Sequence, residues 1–211
     1  MGFLTEEMDD VVEYGGYKFL INPAFDIVLE IQNLYKEEEL TDMDKLNQAL
    51  RMLVAKKQRW LEQMSPMEKS ELLNLIFKQC VNTRKRPPIR QKAPSLDFEE
   101  DGEYIYASFM LDYGIDLLKE QGQLPWKKFI VLFQGLSENA KIREVMRIRT
   151  MELPRYNGHN QKQIQELQEL KSYYALPARG GGGQQGLDLL FSTLEGMAVK
   201  QDIKAGEKNG Q

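Results

Sequence analysis

The chain has 211 residues, 42% of them hydrophobic and 28% charged, a mixture that supports a packed core over most of its length. The formal net charge of −4 argues against a nucleic-acid binder, whose usual footprint is a basic surplus. A single cysteine, Cys80, excludes a disulfide within the chain and fits a reducing compartment. No apolar run approaches the roughly 20 residues that a membrane-spanning helix needs, and the acidic start lacks a signal peptide's layout, so the chain is expected to stay where it is made.

Val11-Val12-Glu13-Tyr14 and Tyr17-Lys18-Phe19-Leu20-Ile21 flank Gly15-Gly16. Two β-favouring runs around a glycine pair predict a β-hairpin, because Gly supplies the positive φ of tight turns. A lone hairpin is marginal in water, so this one is expected to lie on the helices that follow. Asn22-Pro23 reads as the opening of the first helix, with Asn as cap and Pro at the first helical position. Phe25, Val28, Leu29, Ile31 and Leu34 supply its apolar stripe. A second helix is predicted from Thr41, carrying Leu46, Ala49, Leu50, Leu53 and Val54 and running on towards Trp60. Ser65-Pro66-Met67-Glu68 is a capping box: Ser and Glu each satisfy the other's backbone amide, and Pro66 gives up no needed donor. Leu72, Leu73, Ile76, Phe77 and Cys80 follow on one face.

The character then changes. Arg84, Lys85, Arg86, Arg90 and Lys92 are interleaved with Pro87, Pro88 and Pro94, which rules out a regular helix and predicts a basic linker. Asp97, Glu99, Glu100, Asp101 and Glu103 come next, placed to complement a helix dipole. That helix carries Phe98, Ile105, Ser108, Phe109 and Asp112 and ends near Gly114. Pro125-Trp126 opens another, with Phe129, Ile130, Phe133 and Leu136 on its buried side, and Ser137 reads as the cap of a third bearing Ile142, Val145, Met146 and Arg149. After a turn region at 154–160, a polar helix from Gln161 to Tyr173 has Ile164, Leu167 and Leu170 as its strong apolar positions. Leu176-Pro177 ends it. Glycines 180–183 then form a tether, beyond which Leu187, Leu190, Phe191, Leu194, Met197 and Ala198 recur at helical spacing.

These elements predict a mainly α, bundle-like fold with a short N-terminal β-hairpin and a flexible C-terminal tail. The expected division is 1–82, hairpin plus helices; 83–96, basic linker; 97–177, C-terminal helices; and 178–211, tether and amphipathic segment.

Little in this sequence points to catalysis. His159, the one histidine, sits in a polar turn, and Cys80 lies on an apolar helix face, so the two compose no zinc site of the usual spacing. The glycine run lacks the strand before it and the Lys-Ser/Thr after it that a phosphate-binding loop requires. Trp126, Phe129 and Phe133, at helical spacing, read as core. No enzymatic activity, cofactor or metal is therefore expected. Two features exceed a purely structural role. Arg84, Lys85, Arg86, Arg90 and Lys92 form a patch that suits an acidic partner, or nucleic acid as the alternative function. Leu187, Leu190, Phe191 and Leu194 form a tethered apolar segment that folds back on its own domain, enters a partner's groove or swaps between subunits.

Several short runs, in order, carry a resemblance. They are the hairpin with Ile21-Asn22-Pro23-Ala24-Phe25; Ala107-Ser108-Phe109 with Tyr113-Gly114-Ile115-Asp116; and the run Leu124-Pro125-Trp126-Lys127-Lys128-Phe129-Ile130-Val131-Leu132-Phe133-Gln134-Gly135-Leu136. Arg147-Ile148-Arg149 with Met151, and Tyr174-Ala175-Leu176-Pro177, complete them. Together, over residues 11–177, they resemble a family of small proteins of long-tailed bacteriophages and prophages of Gram-positive hosts, encoded between the tail-tube and tape-measure genes. The resemblance implies a tail assembly chaperone in the host bacterial cytoplasm that is absent from the mature virion. Its implied partners are the tape-measure protein, the tail-tube protein and other copies of itself. The family offers no catalytic residues to carry over.

Overall fold

The computed structural model describes residues 10–56, 58–81 and 95–177. Among these residues it contains a two-stranded hairpin, eight α-helices and one π-helical turn. They divide into two compact units. The first comprises the described residues up to 81 together with Gln121–Ile130, and the second comprises 95–120 and 131–177.

In the first unit, β1 (Val11–Tyr14) pairs antiparallel with β2 (Tyr17–Leu20). Gly15 and Gly16 turn between them with φ of 57° and 80°. Positive φ at both central positions is the backbone that matches strand twist in a two-residue hairpin, and glycine adopts it without strain. Alternation along the strands puts the cross-strand pair Val12 and Phe19 fully in the core. On the same face, nearer the turn, Tyr17 packs on Trp60, ring centroids 4.2 Å apart. The hairpin is anchored as its marginal size demands: Tyr14 Oη donates to Glu71 Oε2 at 2.5 Å, and Ala55 N donates to Leu20 O at 2.9 Å.

Helix α1 is Phe25–Lys36, one turn later than the expected opening at Asn22-Pro23. Asn22 and Pro23 are instead extended and paired elsewhere. Asn22 N donates to Leu53 O at 2.8 Å, and Asn22 Nδ2 donates to Gly122 O at 3.2 Å. Trp126 N donates to Pro23 O at 2.8 Å, and Ala24 and Pro125 form an isolated bridge. Asn22 thus spends its amide on a distant segment, and the N-cap falls to Ala24, which makes no side-chain cap bond. Helix α2 (Asp42–Leu53) is capped as expected, with Asp44 N donating to Thr41 Oγ1 at 3.2 Å. Its Leu46, Ala49, Leu50 and Leu53 are fully buried at helical spacing. The helix stops at Leu53 rather than continuing towards Trp60, because Val54 turns extended and bridges Ile21. Trp60 belongs to a separate short helix, α3 (Gln58–Gln63).

Helix α4 (Pro66–Ile76) passes into a π-helical turn, Phe77–Val81, that keeps Phe77, Cys80 and Val81 buried. Helix α6 (Trp126–Gln134) lends its first turn to the same unit. Phe129 stacks on Phe25 at 4.8 Å and on Trp126 at 5.7 Å, so the aromatic cluster is core, as its spacing indicates. Two buried polar atoms of α1, Gln32 Nε2 and Tyr35 Oη, lack a hydrogen-bond partner.

In the second unit, α5 (Gly102–Tyr113) packs on α7 (Lys141–Thr150), which packs on α8 (Gln161–Tyr173). Phe98 lies in the turn ahead of α5 and packs on Phe133 at 5.5 Å. Tyr113 Oη donates to Leu132 O at 2.9 Å. A Cβ at Gly135 would meet that hydroxyl at 3.0 Å, so a larger residue here would have to push the Tyr113 hydroxyl aside by a few tenths of an ångström. Ser137 is not the cap of α7. Its amide and hydroxyl both donate to the Asp112 carboxylate, at 2.6 and 2.9 Å. The cap comes from another helix: Ile142 N donates to the buried Ser108 Oγ at 3.1 Å, and that hydroxyl donates to Tyr104 O at 2.6 Å.

The Ser65 box has both its bonds. Ser65 N donates to Glu68 Oε2 at 2.7 Å, and Glu68 N donates to Ser65 Oγ at 3.3 Å. The Ser65 backbone amide, and then its hydroxyl, hold the Glu68 carboxyl below the usual glutamate range. A depressed folded pKa gives stability that is present above the unfolded value of about 4.3 and lost as pH falls through the folded one. Glu68→Ala is therefore expected to lower the melting temperature at neutral pH, by a gap that closes on acidification below about pH 4. Thermal melts of both proteins from neutral to acid pH check this. Tyr35→Phe is expected to leave stability unchanged or raised, since it removes a buried hydroxyl without a partner and creates no cavity; urea unfolding measures it.

Candidate functional site

The sequence-predicted partner residues fall where no geometry is described: Arg84, Lys85, Arg86, Arg90 and Lys92 of the basic stretch, and Leu187, Leu190, Phe191 and Leu194 of the tail, lie outside the described residues. His159 is exposed, its amide donating to Asn157 Oδ1 at 3.0 Å, and Cys80 is buried. Among the described residues, no group of three or more His, Cys, Asp or Glu is placed to hold a metal ion.

The organised polar chemistry is in the second unit. Arg149, near the end of α7, is 8% exposed in its side chain and faces the fully buried Asp101. Its Nη1 and Nη2 donate to the two Asp101 oxygens at 2.6 and 2.7 Å, the bidentate fork that a guanidinium offers a carboxylate. Nη1 also donates to Ser95 O at 3.1 Å, and Nε donates to Tyr174 O at 2.6 Å. Asp101 Oδ2 further accepts from Asp97 N at 2.9 Å, while Asp97 Oδ1 accepts from Glu99 N at 2.9 Å. The acidic run ahead of α5 is thus more than a dipole complement: one of its carboxylates is the buried counter-ion of α7.

Lys171 of α8 closes the same end of α7. Its ammonium donates to Ile148 O, Arg149 O and Met151 O at 3.0, 2.6 and 2.8 Å, matching its three protons to carbonyls of the helix terminus. Lys141 Nζ reaches Glu144 Oε2 at 2.8 Å and Tyr174 Oη at 3.0 Å. The Glu144 carboxylate and then the Tyr174 hydroxyl hold this ammonium well above the ordinary lysine range.

These ties fix the segment 151–160 and helix α8, and a groove of ≈ 580 Å³ opens on them. It is lined by Tyr156, Gln161, Ile164, Gln165 and Gln168. The loop wall holds itself in place: Asn157 N donates to Asn160 Oδ1 at 3.0 Å, and Asn160 Nδ2 donates to Arg155 O at 2.9 Å. Gln161, Ile164, Gln165 and Gln168 share one face because they recur at i, i+3, i+4 and i+7. No residue of α8 is fully buried, and none of the five lining residues carries a charge. Such a wall can donate and accept hydrogen bonds around an apolar strip, which suits non-covalent binding. The glutamine spacing was visible in the sequence, but polar residues on a polar helix read as solvated until the loop supplies the second wall.

The described residues form a mainly helical fold whose second unit is tied together by a partly buried polar network. A family model described as Bacteriophage Gp15 protein matches residues 4–176, and the chain belongs to that bacteriophage family. No curated protein and no solved structure matches the chain.

Asp101→Ala, which strands the Arg149 guanidinium in the core, is expected to cost about 3–5 kcal/mol of unfolding free energy. The double variant with Arg149→Met should recover part of that loss. Denaturant unfolding reads both, and a single-variant cost below about 1 kcal/mol would put the pair in the range of exposed ion pairs.

Proposed function

We propose that this phage protein is a tail assembly chaperone that binds the tape-measure protein in the host cytoplasm and leaves before the virion is complete. Family membership over residues 4–176 supports the phage setting. The ordered runs in the hairpin, α5, α6, α7 and the Tyr174-Ala175-Leu176-Pro177 close support the tail role through their resemblance to proteins encoded beside the tape-measure gene. The observation that carries the binding reading is α8, a 13-residue helix with no buried residue, bordering an uncharged groove. A helix so little covered by its own domain gains by covering a partner, with an apolar strip as anchor and amides as rim.

A tape-measure protein is long and helical, and its apolar faces need cover until the tail tube closes around it. Reversible helix-in-groove contacts meet that need, because tube subunits can displace them. No helix among the described residues is long and apolar enough to cross a membrane.

Co-expression with the tape-measure protein of the same phage tests the reading. The tape measure is expected to be insoluble alone, and soluble and co-purifying with this chain. Ile164→Lys, which puts a charge in the groove, is expected to weaken the complex at least about ten-fold, the equivalent of 1.4 kcal/mol. A tape measure that is soluble alone and does not co-purify sinks the chaperone reading; an unchanged complex with Ile164→Lys removes the groove from it.

A further inference from the structure

The loop wall of the groove carries a chemistry of its own. Asn157 is followed by Gly158 and lies next to Tyr156, a residue of the groove lining. Of the chain's asparagines, only Asn157 and Asn209 precede a glycine, and Asn209 lies outside the described residues. The pairing matters because a main-chain nitrogen can attack the side-chain carbonyl of the residue before it and close a succinimide ring. A Cβ on the attacking residue hinders that closure, and glycine has none.

The local structure favours the reaction. Asn157, Gly158 and His159 are all exposed, and a Cβ at Gly158 would meet nothing within 4 Å, so the dipeptide is open to water. The His159 amide donates to Asn157 Oδ1 at 3.0 Å. That oxygen gains negative charge as the ring closes, so an N–H already held at this distance stabilises the transition state as an oxyanion donor does. Neither the attacking Gly158 amide nor the departing Asn157 Nδ2 donates to another group among the described residues. Asn160 is the contrast on the same loop. It precedes Gln161, and its side chain is tied at both ends, Oδ1 accepting from Asn157 N at 3.0 Å and Nδ2 donating to Arg155 O at 2.9 Å.

We propose that Asn157 deamidates spontaneously and that the product alters the loop wall of the α8 groove. The Gly158 nitrogen, its proton lost to hydroxide, bonds to Cγ of Asn157. The Cγ–Nδ2 bond breaks, and Nδ2 leaves as ammonia. Water then opens the ring. Addition at the side-chain carbonyl gives aspartate, and addition at the main-chain carbonyl gives isoaspartate, whose backbone runs through an extra carbon. The sum is amide plus water to acid plus ammonia, with nothing oxidised or reduced. Either product puts a carboxylate beside a groove whose five lining residues carry no charge. Isoaspartate also lengthens the stretch between Arg155 and Asn160, which the Asn160 side chain spans. Ammonia escapes, so the change runs one way. On the reading of the groove as a partner site, on which this consequence rests, a copy of the protein loses hold of an apolar helix as it ages.

Peptide mapping by mass spectrometry of the full chain, incubated at neutral and at mildly alkaline pH, tests the site. Asn157 is expected to convert to both acids, faster at the higher pH because the attacking amide must lose its proton, while Asn160 stays an amide. Asn157→Gln, whose longer side chain must close a larger ring, is expected to convert at least about ten-fold more slowly. Hydrogen–deuterium exchange then compares fresh and aged chains. Residues 155–165 are expected to exchange several-fold faster in the aged wild type, and at the fresh rate in Asn157→Gln aged alongside it. An Asn157 that stays an amide in the folded chain, under conditions that convert it in urea, overturns the site. Conversion that leaves the exchange of 155–165 unchanged overturns its effect on the groove. Neither measurement needs the tape-measure protein, so failure here and failure of the chaperone reading are told apart.

Discussion

The second unit is organised around one guanidinium. Arg149 makes bonds with three of its nitrogens to a carboxylate and two carbonyls contributed by three separate stretches: Asp101, Ser95 and Tyr174. A charge this deeply covered is tolerated only when every donor is matched, because a stranded ion in the interior costs several kcal/mol. That requirement makes the site a register mark. The start of α5, the end of α7 and the exit of α8 must all be in place for Arg149 to be satisfied. Lys171 adds a second condition on the same helix terminus, since its three donors need the carbonyls of residues 148, 149 and 151 together. Ser108 adds a third at the opposite end of α7 by capping it from α5.

Three of the short runs that carry the resemblance meet in the second unit. Ala107-Ser108-Phe109, Arg147-Ile148-Arg149 and Tyr174-Ala175-Leu176-Pro177 are far apart in sequence and meet around α7. Ser108 caps its start, Arg149 ties its end, and the Tyr174 carbonyl accepts from that arginine while its hydroxyl accepts from Lys141. The Leu124-Pro125-Trp126 run has a comparable role in the first unit, where Leu124 O and Trp126 N bond to the backbone of Phe25 and Pro23.

The helices were legible because their signals are local. Thr41, the Ser65 box, Gly114 and the glycine pair of the hairpin act within a few residues, and each marks an element boundary or turn in the structure. Two of the misreadings share a cause: a polar residue that looks like a cap has a distant partner. Asn22 bonds to Leu53 and Gly122, and Ser137 bonds to Asp112. Neither partner can be deduced from neighbours in sequence. Asp101 was read as one of several acids near a helix start, and nothing local distinguishes it from Glu99 or Glu103; only the fold brings Arg149 to it. The groove was hidden for the same reason, since one of its walls is a loop that turns back on α8.

The placement of charge supplies the last step. More than a quarter of the chain is charged, yet the five groove residues carry no charge. Meanwhile two buried or half-buried cations, Arg149 and Lys171, are fully engaged in holding α7. Charge is therefore used inside this unit to fix geometry, and is withheld from the groove. An uncharged, partly apolar helix face in a unit fixed by a buried ion pair suits helical partners recognised by shape and apolar anchors. Because such contacts release few ions, salt should weaken them little.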